Sequence, residues 1–466
     1  MEKQSPLNIH LVAACGTGMG TLACLLKEMG HRVSGSDQNV YPPMSDLLRE
    51  NGIELFSGYD PKNLDHNPDL VIIGNAVSRD NPEAAAVMAR EIPYLSMPQA
   101  VNRFVAAGKK IILVTGTHGK TTTSSIMAHI LAVAGMDPSF MIGGILKDYQ
   151  ASFHKGDGEF IVIEGDEYDT AFFDKGPKFM HYDPHVAIMT GVEFDHADIY
   201  KDLAQINDAF SAFIRKADAC GGHIVACREN DNLMGLLETQ GVEFETYGDD
   251  GQWTIASMSR EDQRTRARIQ GPGVAFDLDT AMVGRHNLLN TLACTATAVK
   301  IGIPVEKIQA ALASFSGVKR RQEIRGVANG VTVMDDFAHH PSAVRETIAA
   351  VKPFYDKGRV IAVFEPRTNT SMRHFFQDIY PEAFRAADLV CVCNPCVKKN
   401  IPEAERFLPE ALVRDINALG VEARHFENVD QVLEFLPTRV RPHDLVLIMS
   451  NGGFDNIHTR LLETIA

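Results

Sequence analysis

The chain lacks an excess of positive charge. Its 45 lysines and arginines are outnumbered by 60 aspartates and glutamates, a formal net charge of −15. That argues against a broad nucleic-acid or anionic-membrane surface and leaves room only for local basic pockets. Cysteine is scarce, eight in 466 residues, and no paired metal-binding spacing occurs. Cys391, Cys393 and Cys396 form a single cluster inside a strand-like run, which predicts structural thiols rather than a zinc site. No run approaches about 18 uncharged apolar residues, so no membrane span is expected. The first residues, with Glu2 among polar neighbours, carry no apolar segment of signal type. Low-complexity tracts and short repeats are missing too. These absences predict a soluble protein of a reducing compartment.

What is present is hydrophobic content of 45% over 466 residues, enough for more than one core. At roughly 100–200 residues per domain, two to four domains are expected. Three segments each begin with an apolar strand running into a glycine-rich or polar turn, with helix-length sequence between strands. This alternation predicts α/β architecture with parallel sheets. The expected domains are 1–108, Rossmann-like; 109–317, a central P-loop-type ATPase sheet with a polar β-rich elaboration near 241–279; and 318–466, a second Rossmann-like, doubly wound sheet.

The central segment holds the strongest motif. The strand Ile111-Ile112-Leu113-Val114 leads into Thr115-Gly116-Thr117-His118-Gly119-Lys120-Thr121-Thr122-Thr123, and a helix-like stretch follows from Ser124. Strand, glycine turn, Lys-Thr and helix together cradle a nucleoside triphosphate. Backbone N–H groups and the helix N-terminus face the phosphates, the lysine meets the β/γ charge, and the hydroxyl binds Mg²⁺. The first glycine of the common pattern is missing, since Val114 stands there, so the loop is a distinct subtype. Glu164, Asp166, Glu167 and Asp169 cluster after the strand Phe160-Ile161-Val162-Ile163, and Glu193-Phe194-Asp195-His196 follows another strand. Strand ends are where open α/β sheets bind ligands, although a run of charge is also compatible with a solvated face.

The remaining turns are weaker singly. Gly16-Thr17-Gly18-Met19-Gly20 follows a strand but lacks the dinucleotide fingerprint, whose third glycine falls one position later. A diphosphate could dock there, with Asp37 at the end of the next strand accepting from a ribose or base; a tight structural turn is the alternative. His286, Asn287 and Asn290 open a helix and suit either adenine binding or helix capping. Asp335-Asp336 with His339-His340-Pro341, Glu365-Pro366-Arg367 and Ser450-Asn451-Gly452-Gly453-Phe454 follow three strands of one sheet, which predicts a single crevice. Arg367 offers a fork for phosphate or carboxylate.

Jointly and in this order, these motifs resemble the Mur ligase family, ATP-dependent amide ligases of bacterial peptidoglycan assembly, over essentially the whole chain. Within the family, Val40-Tyr41-Pro42-Pro43-Met44-Ser45, Ala171-Phe172-Phe173-Asp174-Lys175, Glu193-Phe194-Asp195-His196-Ala197-Asp198 and Phe364-Glu365-Pro366-Arg367-Thr368-Asn369-Thr370 look like the branch that accepts a murein tripeptide. The branch that adds L-alanine usually carries a Pro-His-Arg turn where Pro366-Arg367 stands. Gly165 replaces a more usual alanine.

The resemblance implies ATP and Mg²⁺ as cofactors and UDP-N-acetylmuramate and L-Ala-γ-D-Glu-meso-diaminopimelate as substrates. It implies phosphate and adenine binding by Gly116, Thr117, Gly119, Lys120, Thr121, Thr122, His286, Asn287, Asn290 and Asp335. Metal ligation falls to Thr121, Glu164 and His196. His118 would place the muramyl carboxylate, and Arg367 would approach the acyl phosphate. Gly16 to Gly20 would take the UDP diphosphate, Asp37 the uridine, and Asn75 with Ser78 the sugar side. Ser450 to Phe454 would line the peptide pocket. No lysine is assigned to a carbamylated role. A cytoplasmic monomer or weak dimer, with no nucleic-acid or membrane partner, is expected. The rival readings are a UDP-N-acetylmuramate–L-alanine ligase, a nucleotide-dependent dehydrogenase built on the first glycine turn, and a non-catalytic P-loop regulator.

Overall fold

Three parallel-stranded sheets organise the computed structural model, which describes residues 5–40, 44–197, 199–261, 264–395 and 401–466. Tyr41 to Pro43, Asp198 and Cys396 therefore lie outside the described residues. The chain divides into two compact units, one of Met1–Glu193, Ala204–Thr254 and Ala293–Ala311, the other of Phe194–Leu203, Ile255–Leu292 and Leu312–Ala466. No helix among the described residues is long and apolar enough to cross a membrane.

In the first unit, a five-stranded sheet runs in the spatial order Glu54–Ser57, Arg32–Asp37, Asn8–Val12, Leu70–Ile73, Tyr94–Ser96, with every neighbouring pair parallel. The order reverses between Asn8–Val12 and Leu70–Ile73. A crevice opens at such a switch point, beyond the carboxyl ends of the strands. The glycine turn leaves one of those two strands, and Gly74-Asn75 leaves the other.

The same unit carries a seven-stranded sheet in the order Glu245–Tyr247, His223–Cys227, Pro184–Met189, Lys110–Thr115, Phe160–Gly165, Ser139–Leu146, Ala151–His154. All pairs are parallel except the last, an antiparallel edge. The strand feeding the phosphate loop is the central one. Its residues Ile112, Leu113 and Val114 have no exposure, the pattern of a strand covered on both faces.

A short hairpin, Asp169–Ala171 with Asp174–Pro177, was not legible as strands in the sequence. Its tip residues Phe172 and Phe173 pack on the core cluster of the five-stranded sheet that contains Val77 and Ala84, and Phe173 meets Tyr94 edge-on at 4.8 Å. Ser96 Oγ donates to Asp174 Oδ2 at 2.7 Å. The segment carrying the acid cluster is thereby tied to the first sheet.

In the second unit, a six-stranded sheet runs in the order Glu323–Ala328, Val331–Asp336, Leu445–Met449, Val360–Phe364, Leu389–Cys393, Glu422–Phe426. Only the Glu323–Ala328 edge is antiparallel. Asp336 lies opposite Met449, and Met449 opposite Phe364, so three neighbouring strands end level with one another. The polar region near 241–279 contributes a three-stranded sheet, Thr254–Glu261, Arg264–Gly271 and Val274–Thr280, the last two antiparallel. Cys391 and Cys393 are buried in their strand, with burial pushing the Cys393 thiol up to about 12, the behaviour of inert core thiols.

Candidate active site

The glycine turn of the first sheet begins a helix, Thr17–Glu28, which already starts inside the turn. Gly16 is its extended N-cap. Gly16 and Thr17 are exposed, whereas Met19 and Gly20 are buried. The Gly20 N–H is already taken by the Gly16 carbonyl at 2.8 Å. A Cβ on Gly20 would fall 2.3 Å from Met44 Sδ and 3.2 Å from the Ala14 carbonyl, so glycine here permits close packing. The surface facing solvent is thus Gly16 to Gly18. Asp37 accepts from the Cys15 N–H and the Asn39 N–H, each at 2.9 Å, and so clamps the base of the turn. Asn75 and Ser78 are exposed across the switch point.

The phosphate loop joins Lys110–Thr115 to the helix Lys120–Val133, whose N-cap Gly119 is left-handed. Gly116 sits at φ 129°, and a Cβ there would meet Thr190 Oγ1 at 2.3 Å and the Gly191 carbonyl at 2.8 Å. The loop rests on the segment after Pro184–Met189. Thr117 N–H donates to the Gly191 carbonyl at 2.9 Å, and Thr117 Oγ1 accepts from the Glu193 N–H at 2.8 Å. His118 Nε2 lies 3.7 Å from Glu193 Oε2.

Val114 pairs with Glu164 and Thr115 with Gly165, so the sheet register brings the acid cluster beside the loop. Glu164 Oε2 accepts from the Gly143 N–H at 2.9 Å, and its side chain also bonds Thr121. Its other oxygen, Oε1, is buried with no hydrogen-bond partner. Burial and the neighbouring Asp166 hold its carboxyl above the usual range, against the pull of Thr121 and Lys120. An orphaned carboxylate oxygen next to a hydroxyl at a helix start is a donor set that fits a hard divalent cation.

Lys120 is satisfied within the protein. Its ammonium donates to the carbonyls of Gly116 at 2.7 Å and Thr117 at 3.4 Å, and to Glu167 Oε2 at 2.8 Å and Oε1 at 3.1 Å. Sequence reasoning saw Glu167 in the acid cluster but gave it no role. Asp166 pairs instead with Lys178 at 3.1 Å, and Lys178 lies 4.2 Å over the Tyr168 ring.

In the second unit, His196 has a positive φ of 55° and its N–H bonds Asp195 Oδ1 at 2.7 Å. Asp195 is buried; burial would raise its carboxyl, but His196, His339 and His340 hold it well below the usual carboxylate range. Glu164 belongs to the first unit and His196 to the second.

The helix Arg285–Lys300 starts with the predicted amides. Asn287 Nδ2 donates to the Val283 carbonyl at 2.8 Å and to Gln322 Oε1 at 3.3 Å, and Asn290 Nδ2 reaches Asn287 Oδ1 at 3.5 Å. His286 Nδ1 is buried with no partner, and burial lowers the imidazole to about 4. The folded pKa is below the ordinary 6.5, so the unfolded chain takes up this proton first. The stability contribution is therefore full above pH 6.5 and is lost as pH falls toward 4. An NMR titration should find the His286 ring neutral at pH 5.5; a midpoint above 6 would refute this.

The three turns of the six-stranded sheet do converge. Ser450 Oγ donates to Glu365 Oε2 at 2.7 Å, and the Arg367 guanidinium lies 3.4 Å from Glu365 Oε1. The Gly452 Cα faces the Arg367 side chain, where a Cβ would come within 2.2 Å. Asp335 is buried, with His458 Nε2 at 3.2 Å and Arg320 at 3.6 Å. Arg320 was missed from the sequence. It donates to the carbonyls of Ser450 and Gly452, both at 2.7 Å, and stacks over Phe337 at 5.2 Å. The Lys319-Arg320-Arg321 run at the head of this segment was its only signal.

These features define a phosphate-loop α/β enzyme with acidic strand ends beside the loop lysine. Residues 8–109 match the catalytic domain of the Mur ligase family, residues 114–298 the Mur ligase middle domain, and residues 320–452 the Mur ligase glutamate ligase domain. The UDP-N-acetylmuramate–L-alanyl-gamma-D-glutamyl-meso-2,6-diaminoheptandioate ligase of Escherichia coli (strain K12) is 41% identical over 465 residues, 99% of this chain and 98% of its own. A murein peptide ligase crystal structure from Psychrobacter arcticus 273-4 is 33% identical with a TM-score of 0.73, covering 98% of both chains. A UDP-N-acetylmuramate-alanine ligase structure from Thermotoga maritima is 25% identical with a TM-score of 0.79, also over 98% of both. The chain belongs to the Mur ligase family.

Proposed function

We propose that the protein is an ATP-dependent ligase that joins the lactyl carboxylate of UDP-N-acetylmuramate to the amine of L-Ala-γ-D-Glu-meso-diaminopimelate, in peptidoglycan recycling. The observation that carries the acceptor is the full-length 41% identity to a ligase named for that tripeptide. The phosphate loop with Glu164 and Glu167 at its side carries the chemistry.

The difficulty of the reaction is that a carboxylate must attack a phosphoryl group, two anions approaching one another. The amide nitrogens of the loop and the start of the Lys120–Val133 helix face the phosphates, and the Lys120 ammonium neutralises charge on the transferring group. A carboxylate oxygen attacks the γ-phosphorus of ATP and displaces ADP, giving an acyl phosphate; the peptide amine then attacks its carbonyl carbon, gives up a proton, and inorganic phosphate leaves. His118, placed against Glu193, orients the muramyl carboxylate. Mg²⁺ would be held by Thr121 and Glu164, and when bound it would supply further positive charge to the phosphates. His196 is proposed as a metal ligand on the resemblance alone.

Gly16 to Gly18 bind the diphosphate of the UDP-sugar, with Asn75 and Ser78 on the sugar side across the switch point. Asp37 shapes that turn and contacts uridine. His286, Asn287 and Asn290 hold adenine. Asp335, Arg367 and the Ser450 to Phe454 turn serve the nucleotide and the incoming peptide. The corresponding domains are 1–108, 109–317 and 318–466. The enzyme works in the cytoplasm, as a monomer or weak dimer.

The L-alanine-adding reading is favoured by the TM-score of 0.79 to an alanine ligase, but backbone similarity does not select an acceptor. A ligation assay decides. The tripeptide is expected to exceed L-alanine in kcat/KM by about 100-fold or more, because a site that recognises several polar groups rejects an acceptor lacking them. Equal or better use of L-alanine would overturn the assignment.

A further inference from the structure

The ammonium of Lys120 has three donors. Each has an acceptor inside the protein: the Gly116 carbonyl, the Thr117 carbonyl, and the two oxygens of Glu167. The ion pair is withdrawn from water, with the lysine side chain 14% and the glutamate side chain 3% exposed. Burial alone would favour the neutral amine, but Glu167 and Asp166 outweigh it and hold the lysine above its ordinary range.

We propose that Glu167 is a positioning residue for Lys120, an internal counter-anion that competes with the nucleotide's phosphates for the lysine and thereby sets nucleotide affinity. This rests on the ATP-dependent ligase reading above. Glu167 is anchored beside the loop. It lies two residues beyond the strand Phe160–Gly165, whose end pairs with Thr115, and its neighbours Asp166 and Tyr168 are both held by Lys178. Lys120, on a flexible four-carbon stem, is the partner able to move. A phosphate reaching the loop therefore meets a lysine already neutralised and a like charge close behind it, and both effects oppose binding. Nucleotide arrival and release of Lys120 from Glu167 become one event.

The neighbouring acids Asp166 and Glu164 act on Lys120 only through their charge and make their hydrogen bonds elsewhere. Asp166 is engaged by Lys178, and Glu164 by the Gly143 N–H and Thr121.

The test is ADP binding in the presence of Mg²⁺, measured by calorimetry on the full chain. Glu167→Gln keeps the shape and one acceptor oxygen but removes the charge. The dissociation constant is expected to fall about fivefold or more, with the KM for ATP falling alongside it. Mere damage to the fold does not tighten a ligand. Should Glu167→Gln not fold, Glu167→Asp retracts the carboxylate by one methylene and is expected to tighten ADP about twofold. Unchanged or weaker ADP binding in the folded variant overturns the proposal. A wild-type protein that binds no ADP instead overturns the ligase reading on which it rests.

Discussion

Replacing Lys120 with alanine is expected to lower amide formation by about a thousandfold or more, while UDP-N-acetylmuramate binding stays within about twofold of wild type. The size follows from what the lysine faces. Two anions must approach within bonding distance, and a preorganised cation in a water-poor loop is worth far more there than in solvent. The Lys120 side chain is mostly withdrawn from solvent, and its stem leaves the first turn of a helix, so both its charge and its origin are set before substrate arrives. Sugar binding should survive because Gly16 to Gly18, Asn75 and Ser78 belong to another sheet. Phosphate release gives the rate, and calorimetry with the UDP-sugar gives the binding. Turnover near the wild-type rate would sink the catalytic role of the loop.

The second large effect is expected at Gly116→Ala. The φ of 129° belongs to a region that side chains rarely enter, and the added methyl would collide with Thr190 Oγ1 and the Gly191 carbonyl. Such backbone strain costs about 1–3 kcal/mol, and the collision adds to it. The neighbouring Thr117 is bonded on both its N–H and hydroxyl to the 191–193 segment, so relaxing Gly116 drags that segment with it. ADP affinity is expected to fall by about tenfold or more, as the loop amides lose their aim. A global unfolding free energy is poorly defined for a chain of several domains, so the readout is ADP binding together with the thermal shift that ADP produces. A variant with wild-type affinity and wild-type shift would show that this glycine is dispensable.

The sheets were readable from the sequence because their central strands are apolar runs capped by turns. Lys110–Thr115 and Phe160–Gly165 fall within a residue or two of expectation. The helix expected from Ser124 starts four residues earlier, at Lys120, inside the glycine turn, where local composition argues for loop. The hairpin Asp169–Pro177 was invisible for another reason. Its strands are short and polar, and its apolar tip, Phe172 and Phe173, finds a partner only on a different sheet.

The sequence by itself determined the α/β class, the phosphate loop, the acidic strand ends and the family. Each is written in contiguous residues, as a motif whose spacing follows from a strand–turn–helix. The tertiary structure alone decided which carboxylate does what. Glu164, Asp166 and Glu167 are near neighbours in the chain, yet one keeps a buried oxygen unpaired beside Thr121, one is claimed by Lys178, and one holds Lys120. The structure alone also showed that Arg320 supports the Ser450 to Gly452 turn across a separation of some 130 residues. Composition cannot distinguish chemically identical groups. Their roles come from strand register and from the partners that folding places within hydrogen-bonding reach.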